Sequence, residues 1–252
     1  MSFSKYSVRE PVYRGWENAV KLLPETSIKG FEVSVRPHDE LADIVAALRE
    51  VGIEPMTVAG GVKLNDEASI AAYIGGLDAA QALGIPIFFT SASGEEDLDA
   101  AMGLLRDLAE EAARRGIVIS LETHPPYCEN ADLMLRTMEA VDHPNLRVNF
   151  DTANIFFYNE GLDSADELER VIDYVVSVHL KDTDGGFKSG RFPVLGLGVV
   201  QFERIFGTLE AAGFDGPLTL ELEGELMRDL DAQGRHQAVI ECMDYLRSIG
   251  VA

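Results

Sequence analysis

Short apolar runs alternate with longer amphipathic stretches along this 252-residue chain. The apolar runs are rich in Val, Ile, Leu and Phe, which is typical of buried strands. They predict strands near residues 3–8, 30–35, 53–59, 85–90, 117–122, 146–151, 175–180 and 217–222. The stretches between them predict helices near residues 14–23, 39–51, 67–83, 95–115, 130–141, 164–173, 201–212 and 233–248. The fourth helix has the clearest apolar stripe, formed by Leu98, Met102, Leu105, Leu108 and Ala112.

A glycine followed by Ile or Phe ends several helical stretches and opens the next apolar run. Gly52, Gly84 and Gly116 follow one another at intervals of 32 positions, and Gly213 repeats the pattern later. Glycine suits the left-handed residue that ends a helix, and about 30 residues make one strand-plus-helix unit. The alternation predicts an α/β fold with parallel strands, a single (β/α)8 TIM barrel over residues 1–252.

The acidic composition narrows the classes of partner. The formal net charge is −22, so the chain has no positive excess to neutralise the phosphates of a nucleic acid or of an anionic membrane. No apolar stretch approaches the roughly 18 residues of a membrane-spanning helix. The chain has two cysteines, and its polar N-terminus lacks the apolar core of a secretory signal. We therefore expect a cytoplasmic protein without a disulfide framework.

Four predicted strands in the second half each carry one side chain of a metal-binding type near the C-terminal end. These side chains are Glu122, Asp151, His179 and Glu221. A carboxylate in an apolar strand is costly unless a partner pairs with it, and the strand ends of a barrel converge on one face. We expect the four residues to share one divalent ion. One nitrogen and three oxygens favour Mn²⁺, with Mg²⁺, Co²⁺ and Zn²⁺ as alternatives.

Several motifs are similar to those of the xylose isomerase-like barrel superfamily of sugar isomerases and epimerases. They are LETH at 121–124, NFDTAN at 149–154, VHLKD at 178–182, GLG at 196–198 and FDGPLTLE at 214–221. The first half is similar mainly in its alternation of strands and helices, and GFEVSV at 30–35 resembles the second strand of many family members. The resemblance implies the same four metal ligands. Glu223 is the alternative on the last strand, but the family spacing from Gly216 selects Glu221.

The resemblance also implies a metal-dependent sugar (ketose) isomerase or epimerase that works by proton transfer through an enediolate. The ion would polarise a carbonyl. Of Glu122 and Glu221, one would remove a proton from the neighbouring carbon and the other would return one. The candidates for contact with the substrate are His124, Asn154, Lys181, Asp182 and Arg191. Asn154 stands where many epimerases carry a His, and an amide cannot shuttle protons, which weakens assignment to a ketose 3-epimerase in particular.

The same ligands leave other functions open. A dehydratase acting on a keto-inositol or a related keto-polyol would need the same site, and a non-catalytic binding barrel is a more remote alternative. The apurinic endonucleases share the barrel, but the acidic charge and the scarcity of histidines disfavour them. No Walker or dinucleotide loop is present, so the glycines at 196–198 and 224 are weak candidates for a phosphate site and a free sugar is favoured. A homodimer or homotetramer is expected from the resemblance alone.

Overall fold

The strands form a closed parallel barrel in which each pairs with the next and the last pairs with the first. The computed structural model describes residues 5–252. The strands are β1 (Tyr6–Arg9), β2 (Gly30–Ser34), β3 (Glu54–Lys63), β4 (Ile87–Ser93), β5 (Val118–Glu122), β6 (Leu146–Asp151), β7 (Val175–Leu180) and β8 (Leu218–Leu220). The barrel closes where Tyr6 of β1 lies opposite Leu218 of β8. The predicted (β/α)8 barrel is therefore confirmed, while residues 3–4 of the first predicted strand lie outside the described part.

Helices surround the barrel and follow the predicted order. They are α1 (Trp16–Leu22), α2 (His38–Glu50), α3 (Glu67–Leu83), α4 (Leu98–Arg114), α5 (Ala131–Val141), α6 (Asn154–Tyr158), α7 (Ser164–Val171), α8 (Phe202–Ala211), α9 (Gly224–Arg228) and α10 (Ala232–Ser248). Helices α6 and α9 were not predicted, because five residues are too few to show a helical period. Among residues 5–252, no helix has the length and apolarity needed to cross a membrane.

Helix ends follow the local chemistry of the chain. The side chains of Asp66, Asp97 and Asp163 each accept hydrogen bonds from backbone N–H groups in the first turn of α3, α4 and α7. The predicted left-handed glycines are present, since Gly84 has φ 71° and residues 52, 116 and 213 also have positive φ. Residues that favour a helix start or a helix end therefore lie at the boundaries of these strand-plus-helix repeats.

Small polar side chains fill a layer of the barrel interior. The hydroxyls of Ser7 and Thr219 are 2.5 Å apart, as are those of Ser120 and Ser177, and Asn149 Nδ2 donates to Ser177 Oγ at 2.7 Å. Side chains two positions apart on a strand point the same way. The residues two positions later therefore form the next layer toward the C-terminal face: Arg9, Glu122, Asp151, His179 and Glu221.

The long connection between β7 and α8 is anchored by Asp182. The Asp182 carboxylate accepts hydrogen bonds from the backbone N–H groups of Thr183, Gly196 and Gly198, each at 2.9 Å, and of Val200 at 3.1 Å. Gly198 is required at this approach, since a Cβ there would lie 2.2 Å from the carbonyl oxygen of Thr183. Although its glycines suggest a mobile lid, this connection is tied to the end of β7.

Candidate active site

Three of the four predicted metal ligands meet at the C-terminal end of the barrel. One potential ligand atom from each of Asp151, His179 and Glu221 lies within 4.8 Å of the others, and all three side chains are buried. They come from β6, from β7 and from the position that follows β8. Among residues 5–252, these three side chains are the His, Cys, Asp or Glu residues that lie close enough together to hold a metal ion.

Glu122 lies outside that group of three, although it ends the neighbouring strand β5. It lines the same pocket as Glu221. Burial raises the pKa of the Glu122 carboxyl, the negative charge of Glu221 raises it further, and a hydrogen bond from Ser91 opposes the shift. A carboxyl group in this position is held toward its neutral, protonated form.

Two residues outside the predicted ligand set complete the charged layer. Glu32 on β2 is buried, and its Oε2 lies 3.2 Å from His179 Nε2. Arg9 on β1 places its Nε 2.8 Å from Glu32 Oε1 and also pairs with Glu221. The signal for Glu32 was a carboxylate inside the apolar run GFEVS, which is the same criterion that identified Asp151 and Glu221.

His179 is enclosed by two carboxylates. Its Nδ1 lies 3.0 Å from Glu221 Oε2, and its Nε2 faces Glu32. Carboxylates only accept hydrogen bonds, so both ring nitrogens carry a proton in this arrangement. Burial by itself disfavours the imidazolium, but the negative charges of Glu32 and Glu221 raise the pKa of His179 to about 10.

Lys181 is a buried cation among the carboxylates. Its Nζ lies 2.9 Å from Asp151 Oδ2, 3.3 Å from Glu221 Oε2 and 2.9 Å from Glu223 Oε1. Burial disfavours its charged form, yet Asp151 and Glu221 raise the pKa of Lys181 well above its usual value. The ammonium of Lys181 therefore pairs with three carboxylates, while its contact with a substrate stays a prediction.

The carboxyl groups of Asp151 and Glu221 differ in protonation. Burial raises the pKa of Asp151 to about 7, an effect that Lys181 opposes and the charge of Glu221 reinforces. Burial also acts on Glu221, but Arg9, Lys181 and His179 hold its pKa well below the usual range. At neutral pH the site therefore contains an ionised Glu221 beside an Asp151 close to its midpoint.

A cavity of about 290 Å³ opens above these residues. Its lining comprises Arg9, Ser91, Glu122, His124, Asn154, Phe157, Tyr158, Lys181, Phe192, Glu221 and Glu223. Three of the five predicted substrate contacts, His124, Asn154 and Lys181, are thus at the cavity. Asp182 and Arg191 are outside its lining, since Asp182 binds the backbone of its own loop and the Arg191 side chain is 71% exposed.

His124 and Asn154 each present a polar atom at the cavity. His124 Nδ1 lies 2.6 Å from the carbonyl oxygen of Pro125, which only accepts, so Nδ1 carries the proton and Nε2 is left as an acceptor in the neutral ring. The ring of Tyr158 packs edge-on against His124. Asn154 Nδ2 donates to the carbonyl oxygen of Thr123 at 3.0 Å, which orients the amide.

Comparison with known proteins places these features in context. The family model described as xylose isomerase-like TIM barrel matches residues 18–249. The chain is 28% identical over 192 residues to L-ribulose-5-phosphate 3-epimerase UlaE of Shigella boydii serotype 18, covering 75% of this chain and 64% of that protein. It therefore spans less than two thirds of that relative's length.

Solved structures share the barrel at lower identity. A xylose isomerase domain protein from Planctomyces limnophilus has a TM-score of 0.82 at 24% identity, covering 98% of this chain and 97% of that one. The IolI protein with a bound zinc atom has a TM-score of 0.79 at 16% identity, covering 97% and 98%. A probable 3-DHS dehydratase, AsbF of Bacillus anthracis, has a TM-score of 0.76 at 18% identity, covering 94% and 98%. At these identities the likeness concerns the fold.

Proposed function

Because the chain belongs to the xylose isomerase-like TIM barrel family, we propose that it is a divalent-metal-dependent sugar isomerase or epimerase that transfers a proton next to the substrate carbonyl. The observation that carries the proposal is the meeting of Asp151, His179 and Glu221, the last of which lines a cavity together with Glu122. The similarity to a sugar-phosphate 3-epimerase supports the same class of reaction.

The donor set fits a divalent ion. Asp151 Oδ2 is buried and makes no hydrogen bond, although Lys181 lies close to it. His179 Nδ1 faces the group, while Nε2 is directed at Glu32. A carboxylate on the far nitrogen of a metal-binding imidazole is the usual way to fix its orientation and raise its basicity. Asp151, His179 and Glu221 would hold the ion, and Glu122 would supply the fourth ligand. Mn²⁺ is our first choice, with Mg²⁺, Co²⁺ or Zn²⁺ as alternatives.

When bound, the ion would act as a Lewis acid that makes the C–H next to a substrate carbonyl more acidic. Glu221, whose pKa lies well below its usual range, is present as the carboxylate and would accept a proton. Glu122, whose pKa is raised, would return one. Two carboxyl groups whose pKa values are displaced in opposite directions suit an acid and base pair.

Two cavity residues would orient the sugar. His124 Nε2 can accept a hydrogen bond from a substrate hydroxyl, because the proton of the ring is held at Nδ1 by Pro125. Asn154 can orient a hydroxyl through its side-chain oxygen, since its nitrogen is committed to Thr123. Lys181 would keep Asp151 and Glu221 in place and keep a positive charge beside the developing enediol oxygen. Asp182 would act by anchoring its loop.

Deuterium exchange tests this function directly. Protein loaded with Mn²⁺ is incubated in D₂O with a panel of free 2-ketoses and their phosphates, and the recovered sugars are analysed by NMR after removal of the metal. We expect deuterium at the carbon beside the carbonyl, together with an epimer or an aldose. Release of water with formation of an enone or keto product would instead identify a dehydratase. Conversion with neither deuterium incorporation nor loss of water would contradict both the proton-transfer reaction and the dehydratase reaction, and it would indicate a hydride shift.

Variants assign the roles. Glu221→Gln keeps a ligating oxygen but loses the base, so exchange should fall by about 10²–10⁴-fold while part of the metal affinity remains. Glu122→Gln should lose turnover in the same assay. Glu210→Gln is the matched control, because Glu210 is exposed on α8. Equal exchange rates in Glu221→Gln and Glu210→Gln would refute the assigned base.

A further inference from the structure

We propose that the substrate of this site is an uncharged sugar or keto-polyol of monosaccharide size, and that a phosphorylated sugar is excluded. The inference rests on the proposed function and defines its substrate class. It departs from the similar 3-epimerase, whose name specifies a 5-phosphate. Three features of the site carry it: the charge of its lining, the use made of its backbone N–H groups and the nature of its walls.

The charge of the lining opposes a phosphate. Five carboxylates line or underlie the cavity: Glu32, Glu122, Asp151, Glu221 and Glu223. The cations that line it are Arg9 and Lys181. Arg9 is engaged by Glu32 and Glu221, and Lys181 is engaged by three carboxylates. Whether or not Glu122 is ionised, these carboxyl groups, Arg9, Lys181 and a bound divalent ion together carry no positive excess, so the layer has no net charge with which to attract a phosphate dianion.

The backbone donors that could cradle a phosphate are already used. The GLG segment at 196–198 supplies two N–H groups that point at one carboxylate oxygen, Asp182 Oδ2, at 2.9 Å each. The N–H groups of Thr183 and Val200 bind the other oxygen. A turn of convergent N–H groups is an anion site in many barrels. Here a carboxylate of the chain itself occupies that site, and an external phosphate would have to displace it.

Among residues 5–252, the lining of the cavity includes no Lys or Arg besides Arg9 and Lys181. Lys188, on the neighbouring loop, is outside that lining, and its Nζ lies 5.0 Å from the centre of the Phe187 ring. Arg191 lies on the loop above the cavity, but its Nε is 3.6 Å from Glu225 Oε2 and its side chain is 71% exposed. Glu223 lies at the rim with half of its side chain exposed and binds Lys181. A phosphate on the end of a sugar would therefore meet the Glu223 carboxylate at the rim, and the lining has no unpaired guanidinium or ammonium group to receive it.

The remaining walls suit an uncharged polyol. Phe157, Tyr158 and Phe192 line the cavity, and the ring of Phe192 lies 5.0 Å from Lys181 Nζ. Aromatic faces pack against the C–H face of a sugar, while His124 and Asn154 are polar partners for its hydroxyls. A cavity of about 290 Å³ is at the small end of ligand sites. The volume and the lining chemistry together suit one unmodified monosaccharide.

Paired substrates test the inference. L-ribulose and L-ribulose 5-phosphate, and each other free ketose with its terminal phosphate, are compared by kcat/KM for deuterium exchange with the Mn²⁺-loaded protein. Binding of each pair is also measured by calorimetry with the Mg²⁺-loaded protein. We expect the free sugar of the best pair to be preferred by at least 100-fold in exchange and to be the tighter ligand. A preference for the phosphorylated member would overturn the inference and leave the proposed function standing.

Further outcomes distinguish failure of the proposed function from failure of the substrate inference. If no sugar of any pair exchanges deuterium, both the proposed function and this inference are wrong. If a free ketose loses water, the epimerase reaction is wrong but the inference of an uncharged substrate stands. Glu223→Gln should narrow the preference for the free sugar by at least about threefold, because one negative charge at the rim is removed. Glu210→Gln should leave the preference unchanged, and an equal effect of the two variants would contradict the electrostatic cause.

Discussion

Glu32 Oε2 lies 3.2 Å from Nε2 of His179, so a carboxylate of the second strand fixes an imidazole of the seventh. The two residues are 147 positions apart in the chain. While Nε2 is occupied in this way, Nδ1 is the ring nitrogen that faces Glu221. The contact therefore determines which nitrogen of His179 is presented to a divalent ion.

Loss of the charge on Glu32 should weaken metal binding without disturbing the barrel. In Glu32→Gln the amide oxygen can still accept from His179, but the imidazole becomes less basic. We expect the affinity for Mn²⁺ to fall by about 10–100-fold, measured by isothermal titration calorimetry, with an unchanged circular dichroism spectrum. Glu210→Gln is the control for an exposed carboxylate. If the two variants bind Mn²⁺ equally well, Glu32 has no role in presenting His179.

Arg9 stabilises the metal-free state of the site and should be replaceable by the ion. It pairs with Glu32 and Glu221, so Arg9→Met leaves two buried carboxylates without their guanidinium. Breaking a buried pair costs about 3 kcal/mol or more, which corresponds to a fall in Tm of roughly 6–12 °C for a chain of this size. Saturating Mn²⁺ should recover much of the loss, as measured by differential scanning calorimetry.

Arg36 provides the control for that experiment. It makes a similar partly buried pair with Glu10, 2.8 Å from Arg36 Nη1 to Glu10 Oε2. Neither residue lines the candidate active site. Arg36→Met should therefore lower the Tm without any rescue by Mn²⁺ beyond that of the unsubstituted protein. Equal rescue of both variants would show that the effect at Arg9 is general stabilisation and not replacement of its charge.

Metal affinity should rise with pH. A carboxylate and a neutral imidazole are the ligating forms, and burial raises the pKa of Asp151 to about 7 while flanking carboxylates raise that of His179 to about 10. Binding must therefore expel a proton from His179 throughout the neutral range and a second from Asp151 below its midpoint. We expect the affinity to rise about tenfold per pH unit above neutrality and more steeply below it. Calorimetry in buffers of different ionisation enthalpy counts the protons released, and a pH-independent affinity would contradict this ligand set.

The Asp182 anchor should be sensitive to one methyl group at Gly198. A Cβ there would lie 2.2 Å from Thr183 O and 2.3 Å from Asp182 Oδ1. Gly198→Ala should therefore displace the loop that carries Phe192, lower the Tm and reduce kcat/KM. Gly190→Ala is the control in the same loop, because a Cβ at Gly190 would meet nothing within 4 Å. Retention of full activity and Tm by Gly198→Ala would show that the anchor is dispensable.

The sequence alone determined the barrel and most of the residues that meet at its C-terminal end. Strand and helix periodicity is a local property, and glycines with positive φ end helices for local steric reasons, so the repeat was visible without contacts. The placement of Asp151, His179 and Glu221 also followed, because parallel strands of equal direction must bring their C-terminal ends to one face.

Only the tertiary structure decided how the charges are paired. Arg9 and Glu32 belong to the first two strands, and their pairing with Glu221 and His179 depends on closure of the barrel. The apolar run around Glu32 marked it as a buried carboxylate but did not reveal these partners. The same holds for Asp182, whose carboxylate is used by a loop that returns to it 14–18 positions later. Glu122 lines the cavity but lies outside the group formed by Asp151, His179 and Glu221. Side-chain direction and charge neutralisation depend on neighbours distant in sequence, so they emerge only when the chain is folded.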